Sequence, residues 1–62
     1  MKIICIDNFC RDSISDKLIA ANISSKRIGE ILVNALNDKE PETSVNYYKL
    51  VEDDYKLYEF KP

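Results

Sequence analysis

Four tyrosines, Tyr47, Tyr48, Tyr55 and Tyr58, fall within twelve consecutive positions and are interleaved with Lys49 and Lys56. Rings beside lysines on a sheet are what binders of single-stranded nucleic acid use, the ring stacking on a base and the amine meeting a phosphate. The same rings serve cross-strand packing and protein contact, because tyrosine presents an apolar body with a polar tip. Glu52, Asp53 and Asp54 lie in the same stretch and Glu59 follows it, and 9 Lys+Arg stand against 11 Asp+Glu in the whole chain, a net charge of -2. Such a balance gives no long-range attraction for a polyanion. Nucleic acid is therefore the lesser alternative. The residues Tyr47, Lys49, Val51, Tyr55, Lys56 and Tyr58 are the candidate surface, and a protein is the expected partner.

Catalytic chemistry has less to work with. The chain has no His, so no Ser-His or Cys-His pair can activate a nucleophile, and no glycine-rich phosphate loop follows a strand. Three acids at Glu52, Asp53 and Asp54 are oxygen ligands of the kind Mg²⁺ or Ca²⁺ takes, but a solvated turn explains them more simply. Acid-base work by Asp7 with Asp12 or Asp16 would need a dry cleft that shifts one carboxyl, and a chain of 62 residues has little room for one. Cys5 and Cys10 lack the further ligands of a zinc site. Cys5, within Ile3-Ile4-Cys5-Ile6, reads as a small buried hydrophobe, and both cysteines are expected as free thiols. Cys10 beside Arg11 has the surroundings that lower a thiol pKa, but a single loop thiol is no site. The expectation is a protein that is not an enzyme and holds no cofactor or metal.

The elements that position these residues follow from pattern. Lys2 to Asn8 is short, β-branched and apolar on both faces, the mark of a strand covered on two sides. Asn8 to Ser13 gathers turn-forming side chains and predicts a loop, with Phe9 folded back as an anchor. Residues 14 to 23 fit a helical stripe or a strand; Asn22 to Ser25 interrupts any long helix, and a strand over 16 to 22, antiparallel to the first, is preferred. From Ser24, a helix over 25 to 38 is predicted by Ile28, Ile31, Leu32, Ala35 and Leu36 at i, i+3, i+4, i+7 and i+8. Gly29 weakens it by about 1 kcal/mol relative to Ala and marks close packing against the sheet. Lys26 and Arg27 sit poorly with the dipole of its first turn, a mild local cost on a solvated face. Lys39 to Ser44 is a loop, and two β-prone runs about Glu52-Asp53-Asp54 predict a hairpin, with Lys49 opposite Glu59, Leu50 opposite Tyr58 and Tyr48 opposite Phe60.

The assembled expectation is one α+β domain over residues 1 to 62: a four-stranded, mainly antiparallel sheet in the order of elements ββαββ, with one helix packed on one face. The uncovered face would carry Tyr47, Val51 and Leu57, an apolar patch that marks an interface. A chain of this size buries only about 60% of its unfolded surface, so a homodimer through sheet faces or edges is expected.

The longest apolar run, Ile3 to Ile6, is far short of a membrane span, and the beginning at Met1-Lys2 lacks the pattern of a signal peptide, so a cytoplasmic protein with no membrane contact is expected. Ile4-Cys5-Ile6-Asp7-Asn8-Phe9, Leu36-Asn37 and Glu52 to Tyr58 together give the chain a loose likeness to short uncharacterised proteins of bacteria and their phages. The resemblance implies an accessory role and carries no site over.

Overall fold

The computed structural model describes every residue except Cys10, Asp12, Glu42 and Pro62. Three strands and one helix follow in the order β1 Lys2–Asp7, β2 Lys17–Ala20, α1 Lys26–Lys39 and β3 Asn46–Val51. The β-branched run of β1 takes the centre of an antiparallel sheet ordered β2-β1-β3, where both faces are covered and an alternating pattern is not required. Its ladder with β3 runs unbroken from Lys2 opposite Val51 to Asp7 opposite Asn46. The pairing with β2 is irregular: Ile3 faces Ala20 but Ile4 faces Leu18, leaving Ile19 as an extra residue. Met1 and Ile23 then exchange backbone hydrogen bonds at 2.9 Å, past a second extra residue accommodated by Asn22 at φ 61°, a left-handed conformation that Asn tolerates.

The predicted fourth strand does not form among the described residues. Glu52 to Tyr55 closes a turn, Tyr55 N–H donating to the Glu52 carbonyl at 3.1 Å. Such a turn lacks the Gly or Asn that a tight hairpin uses at φ > 0. Beyond it the chain leaves β3 and crosses the face opposite α1. Lys2 Nζ donates to the Tyr55 carbonyl at 3.2 Å, and Asp16 N–H donates to the Tyr58 carbonyl at 2.8 Å. Tyr58 N–H donates to Asp16 Oδ2 at 2.8 Å, and Phe60 N–H to Ser15 Oγ at 2.9 Å. This strap replaces the expected pairing of Leu50 with Tyr58 and of Tyr48 with Phe60. It accounts for the burial of Ile4, 0% exposed, and Val51, both of which point away from the helix.

Ser25 begins α1 from an extended backbone, its Oγ accepting from Ile28 N–H at 3.4 Å. Lys39 in the last turn suits the helix dipole. The rotation of the helix differs from the expectation. The sheet is met by buried Gly29, with half-buried Val33, Leu36 and Asn37, whereas Ile28, Ile31 and Leu32 are 52%, 57% and 42% exposed and Ala35 is exposed with them. Two specific contacts impose this. A Cβ on Gly29 would lie 2.6 Å from a Leu50 methyl and 3.2 Å from Ile23 Cγ2, so any larger residue requires the Leu50 side chain to give way. Eight residues later, on the same face, Asn37 reaches the edge of β3. The core is consequently thin, formed by Ile3, Ile4, Cys5 and Val51 among the described residues. Phe9 is exposed instead of anchoring, with the Arg11 guanidinium 5.9 Å from its ring.

Candidate interaction surfaces

The candidate residues on β3 alternate in the sheet: Tyr47, Lys49 and Val51 stand opposite Ile6, Ile4 and Lys2, on the face crossed by the strap. The structure brings Lys49 and Tyr55 together, the amine 5.9 Å from the ring centre. Val51 is buried and contributes to the core instead of to a surface. Tyr47 and Tyr58 are exposed, Lys56 is exposed and Tyr55 half-buried. Tyr58 is held by its backbone at Asp16. These six residues therefore divide among core, strap and surface, and do not form one continuous platform for stacking bases.

Tyr48 points to the helix side. Its hydroxyl donates to Glu40 Oε1 at 3.1 Å, and this bond to a carboxylate, with burial, raises the phenol pKa. Glu40 Oε2 accepts from Ser44 Oγ at 2.9 Å, and Ser44 Oγ in turn accepts from Asn46 N–H at 3.1 Å. Asn37 completes the arrangement: Nδ2 donates to the Tyr48 carbonyl at 3.0 Å, and Oδ1 accepts from Tyr48 N–H at 2.9 Å. A side-chain amide here offers the donor and acceptor that another strand would present.

At the far end of β1, Asp7 is buried and held by Arg11. Its Oδ2 accepts from Arg11 N–H at 2.7 Å and Nε at 2.9 Å, and its Oδ1 from Nη2 at 3.0 Å. The Arg11 side chain is the main reason that the Asp7 carboxyl titrates at about 2. Bidentate pairing and a backbone donor favour the charged form. The pair floors an open cleft of about 230 Å³ with Ile6, Ile14, Tyr55 and Tyr58 on its walls. A carboxylate so firmly ionised is a clamp on the loop, unsuited to proton transfer near neutrality. Asp16, the other expected partner in acid-base work, accepts from Tyr58 N–H, and Asp12 lies outside the described residues, as does Cys10. Burial raises the Cys5 thiol, which disfavours the reactive thiolate. At the acidic tip, Asp53 Oδ1 lies 2.8 Å from the Met1 amino group, which lowers its pKa. The described residues hold no cluster of three acids or thiols placed to bind a metal.

No family model, curated protein or solved structure matches the chain. No helix among the described residues is long and apolar enough to cross a membrane. The surfaces themselves therefore carry the functional argument. An apolar one that periodicity signalled but misdirected lies on the helix: Ile28, Ile31, Leu32 and Ala35, all exposed, form a stripe along α1 that faces away from the sheet.

Proposed function

We propose that this chain is a non-enzymatic protein-interaction module of the cytoplasm, and that its partner docks on the outward stripe of α1. The observation behind the reading is the rotation of the helix. Three large aliphatic side chains remain about half exposed at a spacing that elsewhere lines a core. A contiguous apolar face of this kind marks a contact surface, and its occupant is expected to bring an aliphatic face of its own. The surface thus moves from the expected sheet face to the helix. An accessory role of this sort also suits the likeness to short bacterial and phage proteins.

Affinity capture from a lysate of the encoding organism, with and without nuclease, tests the reading through two variants. Ile31→Asp places a charge in the stripe, and Tyr47→Asp places one on the sheet face. A retained protein that is lost with Ile31→Asp and kept with Tyr47→Asp supports the helix face. Loss with Tyr47→Asp alone returns the surface to the sheet. Retention that disappears on nuclease treatment would instead favour the alternative, a single-strand binder using Tyr47, Lys49 and Lys56.

A further inference from the structure

We infer that the outward stripe of α1 pairs with the same stripe of a second copy, the two helices running antiparallel about a two-fold axis between Ile31 and Leu32. The inference rests on the reading of this face as the interaction surface and names its occupant. With the axis at that point, Ile28 of one copy lies level with Ala35 of the other, and Ile31 with Leu32. Large side chains thereby meet small ones at the ends and fill the middle, as ridges do when they enter grooves.

Charge selects the direction. Arg27 and Asp38 are both exposed and eleven residues apart, close to three full turns, so they share one flank of the stripe, with Asn34 between them. A two-fold axis lying in the contact plane and perpendicular to the helices keeps that flank against the same flank of the second copy. Antiparallel pairing brings Arg27 of each copy within side-chain reach of Asp38 of the other, two pairs per dimer. Parallel pairing turns about an axis along the helices, which puts the two flanks on opposite sides of the contact and makes neither pair. Lys26 and Glu30, 3.9 Å apart, lie on the side of the helix away from the stripe. Lys39 falls at the end of the stripe, past the apolar residues and level with Ser24 of the second copy, where its amine reaches water along an apolar stem.

The size of the contact sets its strength. A standard interface takes about 800 Å² from each partner, roughly a sixth of the 4771 Å² surface of this molecule. A helix of 14 residues spans about 21 Å, and a contact of one such face falls in the smaller, transient class, below about 1,200 Å² in total. The expected dimer is therefore one that exchanges, with a dissociation constant in the micromolar range.

Sedimentation equilibrium from about 1 µM to about 1 mM, with circular dichroism to follow folding, decides the matter. The wild-type chain should pass from monomer to dimer across that range, and Ile31→Asp should stay monomeric throughout with an unchanged spectrum. Arg27→Asp and Asp38→Arg should each raise the dissociation constant about tenfold by turning attraction into repulsion at two pairs, and the double variant R27D/D38R should return it to within about threefold of wild type. A wild-type monomer at every concentration overturns the self-pairing, as does a double variant no better than the single ones. Should Ile31→Asp lose its helical signal, the charge swap alone gives the answer. A monomeric wild type that still retains a lysate protein in an Ile31-dependent way refutes the second copy and keeps the face. Capture and association both indifferent to Ile31→Asp refute the two together.

Discussion

The two edges of the sheet are guarded by different means. At β3 a single residue of the helix, Asn37, takes both the N–H and the carbonyl of Tyr48, while Glu40 holds the tyrosine hydroxyl and Gly29 lets the helix rest on Leu50. At β2 the helix makes no close approach. That edge is four residues long, interrupted at Ile19, and secured at its start by the strap through Asp16. A bulge and a short length are devices that blunt an edge without covering it. One edge is thus locked by tertiary contact and the other by local irregularity, and the first should be much the more expensive to disturb.

The largest effect is expected at the helix contact. Gly29→Leu cannot fit without lifting α1 from Leu50 and should destabilise the fold by about 3 kcal/mol, read from the midpoint of a urea titration. Gly29→Ala should lose far less, because flexible Leu50 methyls can rotate away and the helix gains about 1 kcal/mol of propensity. Asn37→Ala leaves both backbone groups of Tyr48 without their partners and should lose about 1 to 3 kcal/mol, with faster amide exchange at Tyr48. Asn37→Asp sharpens the test, since it still accepts from the N–H but sets a carboxylate against the carbonyl. If Asn37→Ala proved no more harmful than a change at Asp16, the contrast between the edges would collapse.

The Asp7 clamp gives a pH signature. Its folded pKa of about 2 lies below the ordinary 3.8, so the unfolded state takes up its proton first as pH falls. The stabilisation is complete above the ordinary value, declines as pH drops through that window and is gone below about 2. An NMR titration of the Asp7 carboxyl should show its midpoint near 2, whereas a midpoint near 3.8 would remove Arg11 from this role. The smallest effect belongs to the strap: Asp16→Ala should lose less than about 1 kcal/mol, because the bond to Tyr58 N–H is exposed and water replaces it. Faster amide exchange at Tyr58 would report it.

Much of the fold was legible because it follows from local chemistry. The β-branched run made β1, the polar interruption at Asn22 to Ser25 separated β2 from α1, and the single glycine in the helix marked the close approach to the sheet. What was not legible depended on partners remote in sequence. The apolar arc of α1 predicted its buried face, but the rotation was set by Gly29 meeting Leu50 and Asn37 meeting Tyr48. Those contacts were visible only as a weak helix former and a polar residue near a helix end. The same Asn37 occupies the edge on which a fourth strand would have paired, so strand propensity in Tyr55 to Phe60 went unused. At the candidate surface, alternation along β3 puts Tyr47, Lys49 and Val51 on one face, yet it gave no sign that the strap would bury Val51 and draw Lys49 to Tyr55.

The strand order carries a consequence for how the chain reaches this state. The central strand is the earliest made, and its partners arrive unequally: β2 follows within about twenty residues, while Val51 must return to Lys2 across forty-nine positions. Closing so long a loop delays pairing relative to a local hairpin. At a synthesis rate of about 5 to 20 residues per second, the interval between the two, from Ala20 to Val51, is roughly 1.5 to 6 seconds. During that time Ile3 and Ile4 have a neighbour on one side only, and the nascent hairpin of β1 and β2 offers its other side to whatever binds unfinished chains.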